Sequence, residues 1–173
     1  MKIQGILFFT ILTISVSSCT EDDIENPAEN ELVGLWRISD VYFEGTTTTN
    51  VSGKEKISLF TGSGYNLTLS IEFSKLENQF TSKGSYNIRL TTNLDGADII
   101  TEWMNPGFIE CGKWKKDGNS IIVTKPDGKL KTATILSLEQ STMKLSYDFS
   151  YEIMRSEETV TYDVNGIFTF DKH

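Results

Sequence analysis

The sequence predicts an all-β protein: an antiparallel up-and-down β-barrel of about eight to ten strands. Three observations carry that prediction. Apolar and polar residues alternate with a period of two through most of the chain after residue 31, which gives each strand one dry face and one wet face. Turn signals built on Gly and Asp separate successive alternating runs at hairpin spacing. Helical periodicity is absent. Strands of this length with one apolar face close most economically into a barrel, because closure removes exposed edges. A sandwich of two sheets is the alternative.

The first element is a leader. Lys2 supplies a positive charge, and Ile6 to Ile14 form an apolar stretch too short to span a bilayer. Val16-Ser17-Ser18-Cys19 then resembles the lipobox of bacterial lipoproteins, with Val where Leu is usual. The resemblance implies a signal peptide over residues 1–18, cut before Cys19, with lipid on the thiol and an acylated new amino terminus. The membrane would then be a partner through lipidated Cys19, since two or more acyl chains hold a protein stably. An ordinary secretory signal peptide and a transmembrane anchor are the other readings. Thr20-Glu21-Asp22-Asp23 follows at once and looks like the acidic export tag that sends some Gram-negative lipoproteins to the cell surface. A solvated tether on a periplasm-facing, outer-membrane protein is the alternative. Residues 19–31 read as lipidated Cys and acidic tether, and 32–173 as one barrel domain.

Composition narrows the partners. Without residues 1–18 the chain keeps 15 basic and 24 acidic residues, a net charge of −9. That balance argues against nucleic acid and against anionic lipid headgroups. If Cys19 is lipidated, Cys111 has no partner for an internal disulfide, and stability must come from the core. A small buried residue in a strand-like run is the expected role of Cys111.

The remaining elements follow in order. Leu32 to Ile38 opens the first strand, and Gly45 to Lys54, with four consecutive threonines, reads as a polar loop. Asn66 to Phe73 alternates with Leu67, Leu69, Ile71 and Phe73 on one face. Phe80 to Leu90 reads as one strand with Gly84, Tyr86, Ile88 and Leu90 inward. Ile99 to Trp103, bracketed by turn residues, is a short strand or a lid-like loop. Asp117-Gly118-Asn119, Pro126-Asp127-Gly128-Lys129 and Glu139-Gln140-Ser141 are hairpin turns between the Trp114 strand, the Ile121 strand, Leu130 to Leu138, and Met143 to Tyr151. Val160, Tyr162, Val164, Phe168 and Phe170 share the inner face of the last strand.

Gly34-Leu35-Trp36 places Gly-x-Trp at the start of strand one. Gly112-Lys113-Trp114, Asp117 to Ile121, Ile135 to Leu138 and Met143 to Tyr147 follow in series. Over residues 32–171 this resembles the lipocalin-like domain of small bacterial lipoproteins, in the lipocalin and fatty-acid-binding superfamily. The resemblance implies a barrel-closing role for Gly34 and Trp36. The Thr-Asp-Tyr motif of secreted animal lipocalins is absent, and no last-strand Arg stands clearly opposite Trp36, Arg155 lying near a turn.

Catalytic and metal chemistry find little support. The one His is terminal, and there is no nucleophile motif, phosphate loop or calcium loop. Glu72, Glu102, Glu110 and Glu152 could pair as glycosidase carboxylates, but most fall on the polar phase. The expectation is a protein that is not an enzyme and needs no cofactor or metal. Aromatics are the lead. Tyr86, Trp103, Phe108, Tyr147, Phe149 and Tyr162, with Trp114, lie on inner phases or beside loops. Either they line a cavity for a small hydrophobic or amphipathic ligand, or they fill the barrel, which at eight strands is just wide enough for both outcomes. A glycan fragment at the open end is a further possible ligand. A filled barrel would point to an interaction or scaffold module of a cell-surface complex, docking through loops 45–54 and 92–108.

Overall fold

The computed structural model describes residues 31–51, 53–94, 96–104, 108–155 and 158–173, with only the backbone of Val51, Leu94 and Arg155. Cys19, the apolar leader and the acidic run lie outside these residues. The strands in chain order are β1 Gly34–Val51, β2 Lys54–Tyr65, β3 Ser70–Phe73, β4 Gln79–Lys83, β5 Asn87–Leu94 and β6 Ala97–Met104. They continue with β7 Gly112–Asp117, β8 Ser120–Thr124, β9 Leu130–Leu138, β10 Thr142–Arg155 and β11 Glu158–Lys172. Every pairing is antiparallel, as alternating residues and tight turns dictate. Strands β1, β3, β4, β7, β8, β9, β10 and β11 close a barrel, with β11 returning to β1 from Trp36↔Lys172 to Val51↔Glu158.

The other strands lengthen this ring. One edge of β1 pairs with β3 through Gly34 to Arg37 and with β2 from Tyr42 to Val51. Strands β2 and β3 are therefore two lengths of one wall position, broken at Asn66, whose φ is 52°. The same holds for β4 and β5, broken at Gly84, and for β6 and β7. Across the first two breaks the Thr68 N–H donates to the Ser85 carbonyl at 2.8 Å, and the Ser85 N–H to Thr68 Oγ1 at 3.0 Å.

A lower ring of eight strands thus carries an upper sheet of six, in the order β6-β5-β2-β1-β11-β10. The β8–β9 hairpin is too short to rise into the upper part. Its pairing with β10 ends at Thr134↔Ser146, while β10 continues to Arg155. The upper wall has a seam there, with β6 on one side and β10 on the other.

Several expectations need correction. Gly45 to Lys54 is not a loop, because β1 runs to Val51 and β2 begins at Lys54. Thr46 to Thr49 pair with β11 on one side and β2 on the other, and β-branched residues suit that setting whatever their polarity. Most of 92–108 is likewise strand, with Ile99 to Trp103 inside β6, so neither segment is a free docking loop. Phe80 to Leu90 is two strands. Gly84 adopts φ +88°, and a Cβ there would lie 2.2 Å from the Thr68 carbonyl oxygen, so only glycine fits the break. Cys111 is exposed rather than buried. It lies at a bend before β7, and Ile109 and Trp114 take the inner places.

The lower ring is filled. Trp36, Phe43, Phe73, Phe80, Tyr86, Phe168 and Phe170 are fully buried. Phe168 meets Phe43 and Tyr86 edge-on, each at 5.6 Å between ring centres, and Phe108 at 4.7 Å. Edge-on rings pack densely because the positive ring edge meets the negative face.

Candidate functional site

The predicted site residues divide between the two parts of the barrel. Gly34 and Trp36 stand at the lower end. The buried Trp36 donates its indole N–H to the Leu32 carbonyl at 2.7 Å. Lys172 of β11 holds its ammonium 4.9 Å from the Trp36 ring centre and donates to the Glu31 carbonyl at 2.8 Å. Looking for an arginine missed this lysine, whose charge and stem serve the same cation–π contact. Tyr86 stacks on Phe43 at 6.2 Å inside the lower ring, where burial pushes its phenol well above the usual range. Phe108 packs on Tyr147, Phe168 and Phe170. Trp114 meets Phe73 edge-on and donates to the Ser74 carbonyl. These side chains belong to the packing of the lower ring.

Trp103 and Tyr162 come together in the upper part. Strand β6 places Trp103 edge-on against Tyr151 of β10, 4.7 Å between centres, and against Tyr162 of β11 at 5.1 Å. The two tyrosine rings are parallel at 4.8 Å. The register Thr47↔Tyr162↔Tyr151 sets these three on one inner row, and Thr47 pairs in turn with Ser58. One row below stand Phe60, Gly45, Val164 and Phe149. Phe149 reaches Phe43 at 6.3 Å and links the seam to the filled ring.

A cleft of ≈ 440 Å³ opens at the seam, lined by Glu102, Trp103, Met104, Phe149, Tyr151 and Ile153. That size suits a small ligand. The hydroxyls of Tyr151 and Thr47 are shielded from solvent and have no hydrogen-bond partner. A shielded hydroxyl without a partner carries a desolvation cost that a ligand group could relieve. Burial, and then the neighbouring Tyr162, push the Tyr151 phenol far up, so it is a neutral donor at any physiological pH. Sequence reasoning passed over Tyr151 as a site residue, although it shares the phase of Tyr147 and Phe149. Thr47 was hidden by the loop assignment.

The rim carries an ion pair. Arg89 of β5 donates to Glu102 of β6 through Nε at 2.9 Å and Nη2 at 2.6 Å. The guanidinium holds the Glu102 carboxyl below the usual range, and the carboxylate in turn holds Arg89 charged. Tyr65 lies under the guanidinium, 5.5 Å from ring centre to Arg89 Cζ. Glu72, Glu110 and Glu152 are exposed, and Glu110 pairs with Lys125 at 2.7 Å.

A second concavity of ≈ 800 Å³ crosses the outer wall over β2, β1, β11 and β10. Outward residues flank it, among them Glu44, Thr46, Leu59, Asp148, Asp163 and Asn165. Phe60 and Val164 also line it, and both are buried. Asn165 donates to Asp148 and to Ser146 Oγ. Among the described residues no group of three or more His, Cys, Asp or Glu is placed to hold a metal ion.

No protein-family model, no curated protein and no solved structure matches this chain.

Proposed function

We propose that the protein is a membrane-anchored, lipocalin-like lipoprotein that binds one small apolar or amphipathic molecule in the seam of its upper sheet and performs no chemical step on it. One observation carries the reading. The ≈ 440 Å³ cleft is walled by Trp103, Phe149, Tyr151 and Ile153, and the unpartnered Tyr151 hydroxyl is shielded beside it. Aromatic walls supply affinity by burial, and a few polar atoms orient the guest. The filled lower ring supports a site at the seam rather than in a central calyx. A lipid on Cys19 would tether the barrel to the outer membrane, at the cell surface. The described chain begins at the lower end beside Lys172, so a tether preceding it would leave the seam at the other end. A second reading, an interaction module of a surface complex, draws on exposed Ile99, Ile100 and Met104 along the β6 edge.

The test is a titration of residues 20–173 with N-phenyl-1-naphthylamine, a neutral apolar fluorophore. Saturable one-to-one binding with a concentration-dependent rise in Tm is expected, since a ligand of the native state stabilises it by RT ln(1 + [L]/Kd). Tyr151→Ala should abolish the saturable phase. Linear, non-saturating fluorescence with an unmoved Tm would reject the reading.

A further inference from the structure

The seam differs in construction from the rest of the wall. Elsewhere adjacent strands are joined by backbone hydrogen bonds, but β6 and β10 are not paired, and β6 ends the sheet order. Aromatic contacts from Trp103 to Tyr151 and Tyr162 span the gap instead. Side-chain contacts can part by a rotamer change, whereas a strand ladder parts only by breaking several hydrogen bonds together. Trp103 is half-buried and stands between solvent and the inner row.

That inner row is polar without being charged. It holds Ser58, Thr47, Tyr162 and Tyr151, and the hydroxyls of Thr47 and Tyr151 are unpartnered. Among the described residues the ionised side chain that lines the cleft, Glu102, is already neutralised by Arg89 at the rim. An ion carried inward would lose its water and meet no counter-charge, and a buried charge without a partner is far costlier than a buried neutral group that gains a hydrogen bond.

We infer, resting on the ligand-binding reading above, that the cleft selects uncharged molecules with an aromatic or aliphatic body and a hydroxyl or carbonyl group, admitted sideways between β6 and β10 with Trp103 as the latch. The body lies against Trp103, Phe149 and Ile153. Its polar group meets the hydroxyl of Tyr151, which lines the cleft. A neutral phenol can donate or accept, so both alcohols and carbonyls are accommodated.

Two probes of one shape test the class: 2-naphthol, neutral at pH 7, and 2-naphthoate, an anion. Calorimetric titration of residues 20–173 should give saturable binding of 2-naphthol and at least tenfold weaker binding of 2-naphthoate. Equal affinities would overturn the class while leaving the binding reading intact. Failure of both probes to bind would overturn the two together. Stopped-flow mixing of 2-naphthol with wild type and Trp103→Phe tests the route. The smaller ring should raise the association and dissociation rates together, by about fivefold or more, with Kd moving less than either. Unchanged rates with binding retained would place admission elsewhere. Tyr151→Phe, which keeps the ring and removes the hydroxyl, should weaken 2-naphthol severalfold and leave naphthalene itself unaffected. An equal effect on both probes would remove the hydroxyl from recognition.

Discussion

Replacing Phe168 by alanine should be among the most damaging single changes to this protein. Phe168 is fully buried and meets Phe43, Tyr86, Phe108 and Phe170 at ring-centre distances of 5.6, 5.6, 4.7 and 6.4 Å. Truncating a buried phenylalanine costs about 3–5 kcal/mol, the spread reflecting how far the site can collapse. Here the neighbours are rings on three other chain segments and on β11 itself, each held by its own packing, so the upper part of that range applies. With a urea m-value of about 2 kcal/mol/M, a loss of about 4 kcal/mol lowers the unfolding midpoint by about 2 M. Against a total stability of about 5–15 kcal/mol the variant stays folded in buffer only if the parent lies away from the lower limit. The assay is equilibrium urea unfolding of residues 20–173 followed by far-UV circular dichroism. Phe168→Leu serves as a partial filling of the same space and should recover a good part of the loss. Trp103→Ala is the comparison, and because that side chain keeps part of its surface exposed at the seam it should cost less. A midpoint shift under about 0.5 M for Phe168→Ala, with m unchanged, would refute the argument that the lower ring is solidly filled. Equal losses for Phe168→Ala and Trp103→Ala would refute the division into a rigid ring and a looser seam.

Three further outcomes are expected. Gly84→Ala combines a positive φ with a Cβ 2.2 Å from the Thr68 carbonyl and should cost about 2–4 kcal/mol in urea unfolding. Gly96→Ala, at φ +86° with nothing within 4 Å, should cost only about 1 kcal/mol, and equal losses would count against the steric account of the break. Lys172→Met keeps the stem and removes the charge over Trp36, so it should cost about 1–2 kcal/mol and change indole fluorescence, whereas an unmoved midpoint would mean that the cation–π contact and the Glu31 hydrogen bond contribute nothing. Glu102 ionises more readily in the folded protein because Arg89 hydrogen-bonds its carboxylate. Its contribution is therefore complete above the ordinary glutamate range and is lost as pH falls through the lowered folded value. Both side chains are about half exposed, so the effect should be small and should fade in salt. Glu102→Gln should flatten the part of the stability–pH profile in that acidic window, and a profile identical to wild type would dissociate the pair from stability.

The inner face of each long strand was legible from alternation alone, because period two is a property of the backbone and holds wherever the strand lies. Met143 to Tyr151 and Val160 to Phe170 point inward as read. The three hairpin turns at residues 117–119, 126–129 and 139–141 fall between the strands they were assigned to separate. Local composition misled where polar residues met partners far along the chain. Four threonines look like a loop until β11 and β2 pair on either side of them. A continuous alternating run hides the break at Gly84, since a kink that keeps the inner face leaves the pattern undisturbed. The candidate site was half visible. Trp103, Phe149 and Tyr162 were marked as aromatics on inner phases, but so were Tyr86 and Phe108, which pack the lower ring.

By itself, the sequence determined that this is an antiparallel all-β chain with one apolar face per strand and aromatics as its inner resource. Those are consequences of backbone periodicity and turn chemistry, which neighbouring residues decide among themselves. The pairing of β11 with β1 decided for a barrel over a sandwich. Only the tertiary structure decided which aromatics fill the ring and which stand at a seam. That division depends on β8 and β9 being shorter than the strands they meet, so that β10 rises past its partner and faces β6 across a gap. A mismatch of length between neighbouring strands leaves no mark on the alternation within either, and it becomes a cleft only when closure brings β6 and β10, far apart in the chain, to face each other.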